Sequence, residues 1–532
     1  MNLPAKRILQ IFLIYTIAHF PFFALYRSKF WDDWSLYGAS PTTLSSIFQQ
    51  AGVPLIGYFH IAIQALGWPA YSTATFFSYF FISAFTYKIL IKIRISDYAA
   101  FWISSFVAII PVNYARITAI SSPSAVSLAL FMGSWLILLS ENGTRKIPQR
   151  IIALLGFAIS FQIGSLIVFY VLPILTYLFI TANKQCSTSK DWLLPSVAKV
   201  LDFILLPIAY WIIRASHFPP TGMFEGYNSV NINLSSILNS FPPLFETLNG
   251  NTLPISTIWT IIAIVFSVLA SSTRWASHLP NSPDCRIYRP LYCIPLGIVV
   301  CFLAVFPYSA VGKIPSFLDW TATRHQLLLA FGFSILLFSV ISTLARLDTG
   351  RQRVLFTAIP LFISIIFIGN WWKIYSEFYV DHIKQQALIA LIKKHPEIQG
   401  KNLIVLDSTE LTAFSTKTGL GEYAAIYSEA TNLRNSLILD YTKIGGMEKW
   451  DEITKQFSPY LGTWSKTDNV SLNTPPLFYV MQCQAQIDDK FLFSLKMIWK
   501  KIFHPPQEKE VINSMLLLNG PFKEVSSRTS EH

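Results

Sequence analysis

The sequence predicts an α-helical polytopic membrane protein of about eleven transmembrane helices, followed by a small soluble α/β domain. The chain is 52% apolar and only 13% charged, and its mean hydropathy is +0.45. Soluble globular proteins are less apolar and carry about twice as much charge. Apolar runs of roughly 17 to 25 residues, long enough to cross a bilayer as a helix, recur through the first 370 residues and then cease. We therefore expect a transmembrane region over residues 1–370 and a small polar domain over residues 371–532.

The charge and the cysteines argue against two other classes of protein. The formal net charge is +12, but the basic residues are spread between apolar runs and do not form the basic, aromatic-rich patch that nucleic acid requires. The five cysteines show no metal-type spacing with histidine. We expect no nucleic-acid partner, no structural zinc and no disulfide framework.

The first predicted span covers residues 8–26. It carries His19 and Pro21 and lacks a small-x-small cleavage site, so we expect it to remain in the protein rather than to be removed as a signal peptide. An acidic pair, Asp32 and Asp33, follows it directly between two tryptophans. Because carboxylates are costly in hydrocarbon and Trp favours the headgroup region, this pair is predicted where the first helix leaves the bilayer. A solvated acidic pair in an interfacial belt is the alternative.

The segment from Pro41 to Pro69 is broken by glycine and proline and is amphipathic around His60. We interpret it as short helices that lie at the membrane interface. The remaining predicted spans cover residues 71–91, 98–115, 117–140, 150–165, 166–182, 194–214, 255–272, 290–306, 325–345 and 354–370.

Lys and Arg are distributed unequally between alternate loops, and such an excess marks the cytoplasmic side. The poorer side receives only Arg27, Lys29, Arg116, Arg214, Lys313 and Arg324. The sequence therefore predicts a plasma-membrane (inner-membrane) protein with a cytoplasmic N-terminus. The acidic pair, the loops at 215–254 and 307–323, and the domain after residue 370 would then face outward.

The polar tail alternates helix and strand patterns. We predict an amphipathic helix at 375–395, a strand at 402–407, a helix at 421–434 and a strand at 477–482. The stretch after Pro505 is predicted to be weakly ordered. No phosphate-binding loop, zinc-protease motif or nucleophile elbow is present in the sequence.

The predicted outward face gathers polar residues of both signs. Each alone has an ordinary interpretation, because interfacial Lys and Arg snorkel, aromatic residues anchor and a lone His packs. Together they suit a hydroxyl nucleophile and an anionic phosphate leaving group. The candidate substrate-binding residues are Tyr58, His60, Arg116, Lys313, Arg324 and His325, with Glu225 and Asp319 as further acids.

A cytoplasmic N-terminus, a first span ending in Asp32-Asp33, interfacial helices, about eleven spans and an outward C-terminal domain resemble the GT-C superfamily of membrane glycosyltransferases. The resemblance implies a polyprenyl-phosphate sugar donor, a glycan, lipid or protein acceptor, and a role in glycan biosynthesis of the cell envelope. It also implies that Asp32 is the general base and that Asp33 supports it or helps to bind a divalent metal ion.

The chemistry of sugar transfer can be derived separately. A carboxylate that accepts the hydroxyl proton contributes roughly 10²- to 10⁴-fold, and cations stabilise the departing phosphate. Arg116, Lys313 and Arg324 are the cation candidates, with His60 and His325 as weaker ones. A single displacement predicts inversion at the anomeric carbon. A retaining path would need a second nucleophile, for which Asp319 or Glu225 stays open.

Two other functions remain as alternatives. A transporter or flippase for lipid-linked sugars would use intramembrane charges in two similar halves, and the sequence has few midspan acids and no visible repeat. A polysaccharide polymerase or ligase would use Arg and His in a large outward loop, whereas the loop at 215–254 holds His217, Glu225 and Glu246 as its ionisable candidates.

Overall fold

The computed structural model describes residues 3–140, 147–184, 193–226, 229–230, 235, 260–265, 267, 290–313, 320–347, 352–409, 411, 420–432, 438–440, 476–485, 487 and 489–522. Within these ranges the protein is mostly helical and contains one small sheet. The predicted span at 255–272 lies largely outside the described residues, as does Asp319.

The helices follow the predicted apolar runs closely. They are α1 (Leu3–His19), α2 (Asp33–Leu36), α3 (Pro41–Gln50), α4 (Pro54–Ala65), α5 (Pro69–Lys92), α6 (Asp97–Ile109), α7 (Ser122–Leu138), α8 (Ile147–Ser160), α9 (Ser165–Phe169), α10 (Val171–Lys184), α11 (Leu193–Ala198), α12 (Leu201–His217), α13 (Pro290–Ser309), α14 (Leu329–Leu347), α15 (Gln352–Lys394), α16 (Leu420–Thr431), α17 (Lys490–Phe503) and α18 (Pro505–Ser514). Short 3₁₀ helices cover Phe20–Leu25, Tyr114–Ile117, Ala119–Ser121, Gly222–Phe224, Ala322–Gln326 and Pro396–Ile398.

Four helical segments of the described chain are long and apolar enough to cross a membrane. They are Leu3–Leu25, Pro69–Lys92, Ala119–Leu138 and Phe356–Lys394. Shorter apolar helices lie at Asp97–Ile109, Ile147–Ser160, Ser165–Thr181, Cys293–Ser309 and Leu329–Leu344. The membrane-type helical architecture is therefore present, while the count of eleven spans stays a prediction.

Short helices are predicted between residues 41 and 69, and the structure has α3 and α4 there. Each begins with proline, which suits the first helical position because it has no N–H to pair. Ser40 caps α3, since its side chain accepts a hydrogen bond of 3.1 Å from the backbone N–H of Thr43.

An aromatic core joins the end of α1 to the middle of α15. His19 shares a hydrogen bond of 2.7 Å with the Tyr375 hydroxyl, and the Trp371 indole donates one of 2.7 Å to the Ile109 carbonyl. The same continuous core extends to Val405 and Met481 of the C-terminal domain. The helical region and the C-terminal domain therefore share this core.

The C-terminal sheet has four strands in the order β2-β1-β3-β4. They are β1 (Leu403–Asp407), β2 (Ile438–Asp440), β3 (Leu477–Cys483) and β4 (Leu516–Phe522). β1 pairs in parallel with β2 and β3, and β4 pairs antiparallel with β3. The predicted strands at 402–407 and 477–482 and the predicted helix at 421–434 are confirmed as β1, β3 and α16.

Two features of the tail differ from expectation. The predicted boundary at residue 370 falls inside α15, which runs unbroken from the last predicted span into the domain. Residues 505–522, expected to be weakly ordered, form α18 and β4. Their order comes from long-range partners, because β4 completes its hydrogen bonds only against β3 and α18 packs on α15.

The acidic segment and the C-terminal domain lie at the same end of the helix bundle, since the rings of Phe30 and Phe378 are 5.1 Å apart. We therefore expect cysteines at two exposed positions, Ser46→Cys in α3 and Ser514→Cys in α18, to face the same side of the membrane. In a background without the five natural cysteines, an impermeant maleimide should label both in the same preparation. Labelling of one in intact cells, and of the other only after lysis, would contradict this arrangement.

Candidate functional site

A cavity of about 890 Å³ lies beside the acidic segment. Its walls come from the 3₁₀ helix Ala119–Ser121, the α8–α9 turn, the end of α12 and the polypeptide following α13. Four of the predicted site residues line it: Asp32, Lys313, Arg324 and His325. The fold thus brings the Asp32 carboxylate and two basic side chains, Lys313 and Arg324, from distant parts of the chain to one cavity.

The two acids of the pair face different surroundings. Asp32 lines the cavity, whereas Asp33 is 1% exposed. The Asp33 carboxylate accepts a 2.9 Å bond from the N–H of Ile120 and a 3.2 Å bond from the N–H of Phe30. Trp31, just before the pair, has a φ of 54°, a left-handed conformation that is uncommon for non-glycine residues. This turn allows one acid to reach the cavity while its neighbour points into the protein.

Asp33 does not offer a good metal site. Both of its oxygens accept backbone N–H bonds. Among the residues that the structure describes, no group of three or more His, Cys, Asp or Glu side chains could hold a metal ion. The Asp33 oxygens are thus engaged by backbone N–H groups, and the divalent metal ion that the resemblance implies for Asp32 and Asp33 stays a prediction.

Arg324 and Lys313 form a cationic wall of the cavity. The Arg324 guanidinium lies 4.4 Å from the centre of the Trp31 ring, a cation–π contact that holds it beside the acidic segment. Burial, together with the positive charge of Arg324, lowers the pKa of Lys313 to about 8. The two cations therefore repel each other at this wall, and a bound anion would relieve that repulsion.

His325 is a neutral member of this wall. Burial, reinforced by Arg324 and Lys313, lowers its pKa to about 3. Arg324 donates a 3.2 Å hydrogen bond to its Nε2 atom, so the ring proton is on Nδ1. The ring also lies 4.9 Å from that of Tyr308. His325 is thus suited to orienting Arg324 rather than to carrying charge.

Thr323 holds the cationic segment in place. Its hydroxyl accepts hydrogen bonds of 2.9 and 3.0 Å from the N–H groups of Tyr114 and Ala115, and donates one of 2.5 Å to the Trp320 carbonyl. Asp33 binds Ile120 a few residues further along the same stretch. Residues 114–121, which we call the anchor segment, therefore fix both the acidic and the cationic side of the cavity.

Three predicted substrate-binding residues lie elsewhere. Arg116 is 6% exposed, and its guanidinium is enclosed by aromatic rings, 4.0 Å from that of Tyr79. His60 is fully buried, bonded to the Tyr71 hydroxyl at 2.9 Å, with its pKa lowered to about 3 by burial. Tyr58 is 54% exposed and does not line the cavity. Two of these side chains are enclosed by packing and the third is exposed outside the cavity, so their role in substrate binding stays a prediction.

The structure adds cavity residues that sequence reasoning did not select. Arg214, near the end of α12, supplies a third cation, and Trp211 lies one turn before it. Tyr308 donates a 3.1 Å hydrogen bond to Ser165 on the facing helix. The sequence signal that could have identified Arg214 was its position on the side of the membrane predicted to be poor in Lys and Arg. Glu225 is exposed and is not a lining residue.

Comparisons with known proteins leave the site to be interpreted from its own chemistry. No protein-family model matches the chain, and no curated protein matches it. The functional argument therefore rests on which side chains line the cavity and what they can bind.

Asp33 should make stability depend on pH. Burial raises the pKa of its carboxyl from 3.8 to about 7, so the folded state binds this proton more tightly than the unfolded state. The resulting stability is present below pH ~4 and is lost as the pH rises through about 7, a total of ~4 kcal/mol for a shift of this size. Asp33→Asn cannot ionise, so its melting temperature should rise relative to that of the unmodified protein across this interval.

Asp32→Asn is the matched control for this prediction. Asp32 contributes least among the causes that shift the pKa of Asp33, so its loss should change the pH dependence much less. Thermal unfolding of all three proteins in one detergent, at a series of pH values, gives the comparison. Parallel curves for Asp33→Asn and the unmodified protein would show that Asp33 does not titrate in this range.

Proposed function

We propose that the protein is an integral membrane glycosyltransferase of the GT-C type, which moves a hexosyl or pentosyl group from a polyprenyl-phosphate donor to an acceptor hydroxyl. The observation that carries the proposal is the single cavity that combines the Asp32 carboxylate with the cations Lys313 and Arg324. Such a pairing of charges suits a reaction in which the acceptor hydroxyl releases a proton and the donor releases a phosphate.

The donor phosphate is placed at the cationic wall. The guanidinium of Arg324 can form two parallel hydrogen bonds to phosphate oxygens, and Lys313 adds a point charge. The neighbouring wall is apolar, with Ile163, Ile167 and Phe306 among its lining residues. These side chains suit the isoprenoid chain of the donor, because apolar surface is stabilised by leaving water.

Asp32 is placed as the general base. The acceptor oxygen attacks the anomeric carbon while its proton passes to the Asp32 carboxylate. The bond between that carbon and the phosphate oxygen breaks, and Arg324 and Lys313 stabilise the charge that the departing polyprenyl phosphate gains. One displacement inverts the anomeric centre. Asp33, which is buried and bonded to the backbone, positions Asp32 by holding their shared turn.

The proposed setting is the outer face of the plasma membrane. The excess of Lys and Arg in alternate loops supports a cytoplasmic N-terminus. The cavity and the C-terminal domain, which lie at the same end of the bundle, would then both be extracytoplasmic. The acceptor would be a glycan, lipid or protein of the cell envelope.

Asp32→Asn should abolish transfer while the protein stays folded. Asn has nearly the same shape but cannot accept the proton at neutral pH, so we expect a loss of roughly 10²-fold or more in rate. Purified variants would be assayed with a set of polyprenyl-phosphate sugars, after monodispersity and melting temperature are confirmed.

Asp33→Asn gives the comparison for this loss. Asp33 holds the turn but does not line the cavity, so Asp33→Asn should reduce the transfer rate less than Asp32→Asn does. The two effects should not add in the double variant, because both residues serve one site. Wild-type transfer by Asp32→Asn would remove the main support for the glycosyltransferase proposal.

Arg324→Ala should weaken transfer strongly, and Arg324→Lys should weaken it less. Lysine keeps the charge but loses the planar pair of donors and the contact with the Trp31 ring. The rates would be measured at several donor concentrations, so that an effect on donor binding is separated from one on the chemical step.

Arg27→Ala is the matched control, since Arg27 is an exposed cation on the same predicted face that does not line the cavity. Its rate should equal that of the unmodified protein. Equal activity of Arg324→Ala and Arg27→Ala, at equal expression, would assign Arg324 to interfacial anchoring instead of phosphate binding.

A further inference from the structure

Helix α17 carries an apolar stripe that the fold leaves uncovered. Leu492 and Trp499 are 62% and 59% exposed, far above what a folded core leaves to large apolar side chains. The stripe consists of Leu492, Leu495, Trp499, Ile502 and Phe503. Separations of three, four, three and one residues place these side chains along one side of a helix.

The opposite side of α17 already holds the helix on α15. Met497 and Ser494 are buried, and the Ser494 hydroxyl donates a 3.0 Å hydrogen bond to the Ser376 carbonyl. Lys490 forms a 2.8 Å ion pair with Glu377. The packing of α17 on α15 therefore uses the side that carries Met497 and Ser494, and the apolar stripe lies on a different side of the helix.

α17 crosses α15 steeply. Lys490 and Lys501 are about 16 Å apart along α17, yet the residues they contact on α15, Glu377 and Tyr379, are only about 3 Å apart along that helix. If α15 crosses the membrane, as its apolar first half indicates, α17 lies closer to the membrane plane than to the membrane normal.

The crossing also lies at the height of the membrane surface. The apolar part of α15 begins at Val354, and about 20 residues of helix span the ~30 Å hydrocarbon layer. Ser376, which contacts α17, comes within one helical turn of the end of that length. Trp372, which is half-buried, lies about one turn before Ser376, and Trp is enriched at the headgroup region.

We propose that α17 is a membrane-interface helix, whose apolar stripe inserts into the acyl boundary while flanking lysines contact the phosphates of anionic phospholipids. Lys496 and Lys500 lie on one border of the stripe, which lets their apolar stems follow it while their ammonium groups reach the headgroups. The inference requires that α15 spans the membrane and is independent of glycosyl transfer.

A bilayer fits this surface better than a second copy of the chain. Two stripes packed against each other would also bring the bordering lysines together, and like charges in contact are unfavourable. Anionic lipids supply the complementary charge and attract lysines that lie at the membrane surface. The position at the membrane surface supplies the lipid without a further binding partner.

The full-length protein, in a background without its five natural cysteines, allows a direct test in nanodiscs that contain one copy each. Leu495→Cys and Trp499→Cys would carry a polarity-sensitive fluorophore, and the lipids would carry a nitroxide on the acyl chain. Glu510→Cys, at an exposed position of α18, is the matched control. We expect several-fold stronger quenching at positions 495 and 499 than at 510. Equal quenching at all three positions would overturn the proposal, as would shielding of position 499 from aqueous iodide only in discs with two copies.

The lysines are tested in the same system. Quenching at position 499 should be stronger with anionic than with zwitterionic phospholipid, and Lys496→Gln with Lys500→Gln should remove that difference. If quenching at position 499 is equal in anionic and zwitterionic phospholipid while both lysines are present, the proposed contact of the lysines with lipid phosphates is wrong. Unchanged melting temperatures would confirm that the labelled variants stay folded.

Discussion

The arrangement of the cavity depends on hydrogen bonds to one short stretch of backbone, the anchor segment at residues 114–121. Asp33 accepts the N–H of Ile120, and Thr323 accepts those of Tyr114 and Ala115. Buried backbone N–H groups are costly when unpaired, so each of these side chains holds its loop firmly. The acidic turn and the cationic loop are thereby fixed relative to each other, although they come from opposite ends of the transmembrane region.

Burial then distributes charge unevenly around the cavity. Asp33 is enclosed and titrates near neutral pH, while Asp32 keeps its place at the cavity wall. Lys313 and Arg324 repel each other at the cationic wall. An anion would be attracted to that wall, and a proton would be accepted at Asp32. The asymmetry of the site therefore arises from which carboxylate the anchor segment covers.

The C-terminal domain takes part in the same construction. Lys29, which precedes the acidic pair, lies 3.9 Å from Glu429 of α16, and its ammonium is 3.3 Å from the centre of the Tyr37 ring. Deeper in the domain, Lys384 of α15 forms a buried ion pair with Asp407 at the end of β1. Helix α15 is continuous through both regions. A mutation in the domain can therefore change the position of the acidic turn through residues that pack directly against each other.

Most of the helices, their membrane-type apolar character and much of the tail could be predicted from the sequence, because these depend on composition and on patterns within short windows. The sequence also located the acidic pair at the end of the first helix. The choice between Asp32 and Asp33 depended on a turn at Trp31 and on Ile120, which is 87 residues from Asp33 in the chain. Only tertiary structure could decide that Arg324 and Arg214 line the cavity while aromatic rings enclose Arg116, and that β4 is ordered by β3. Each of these outcomes requires a partner far away in the sequence, and no local pattern records such a contact.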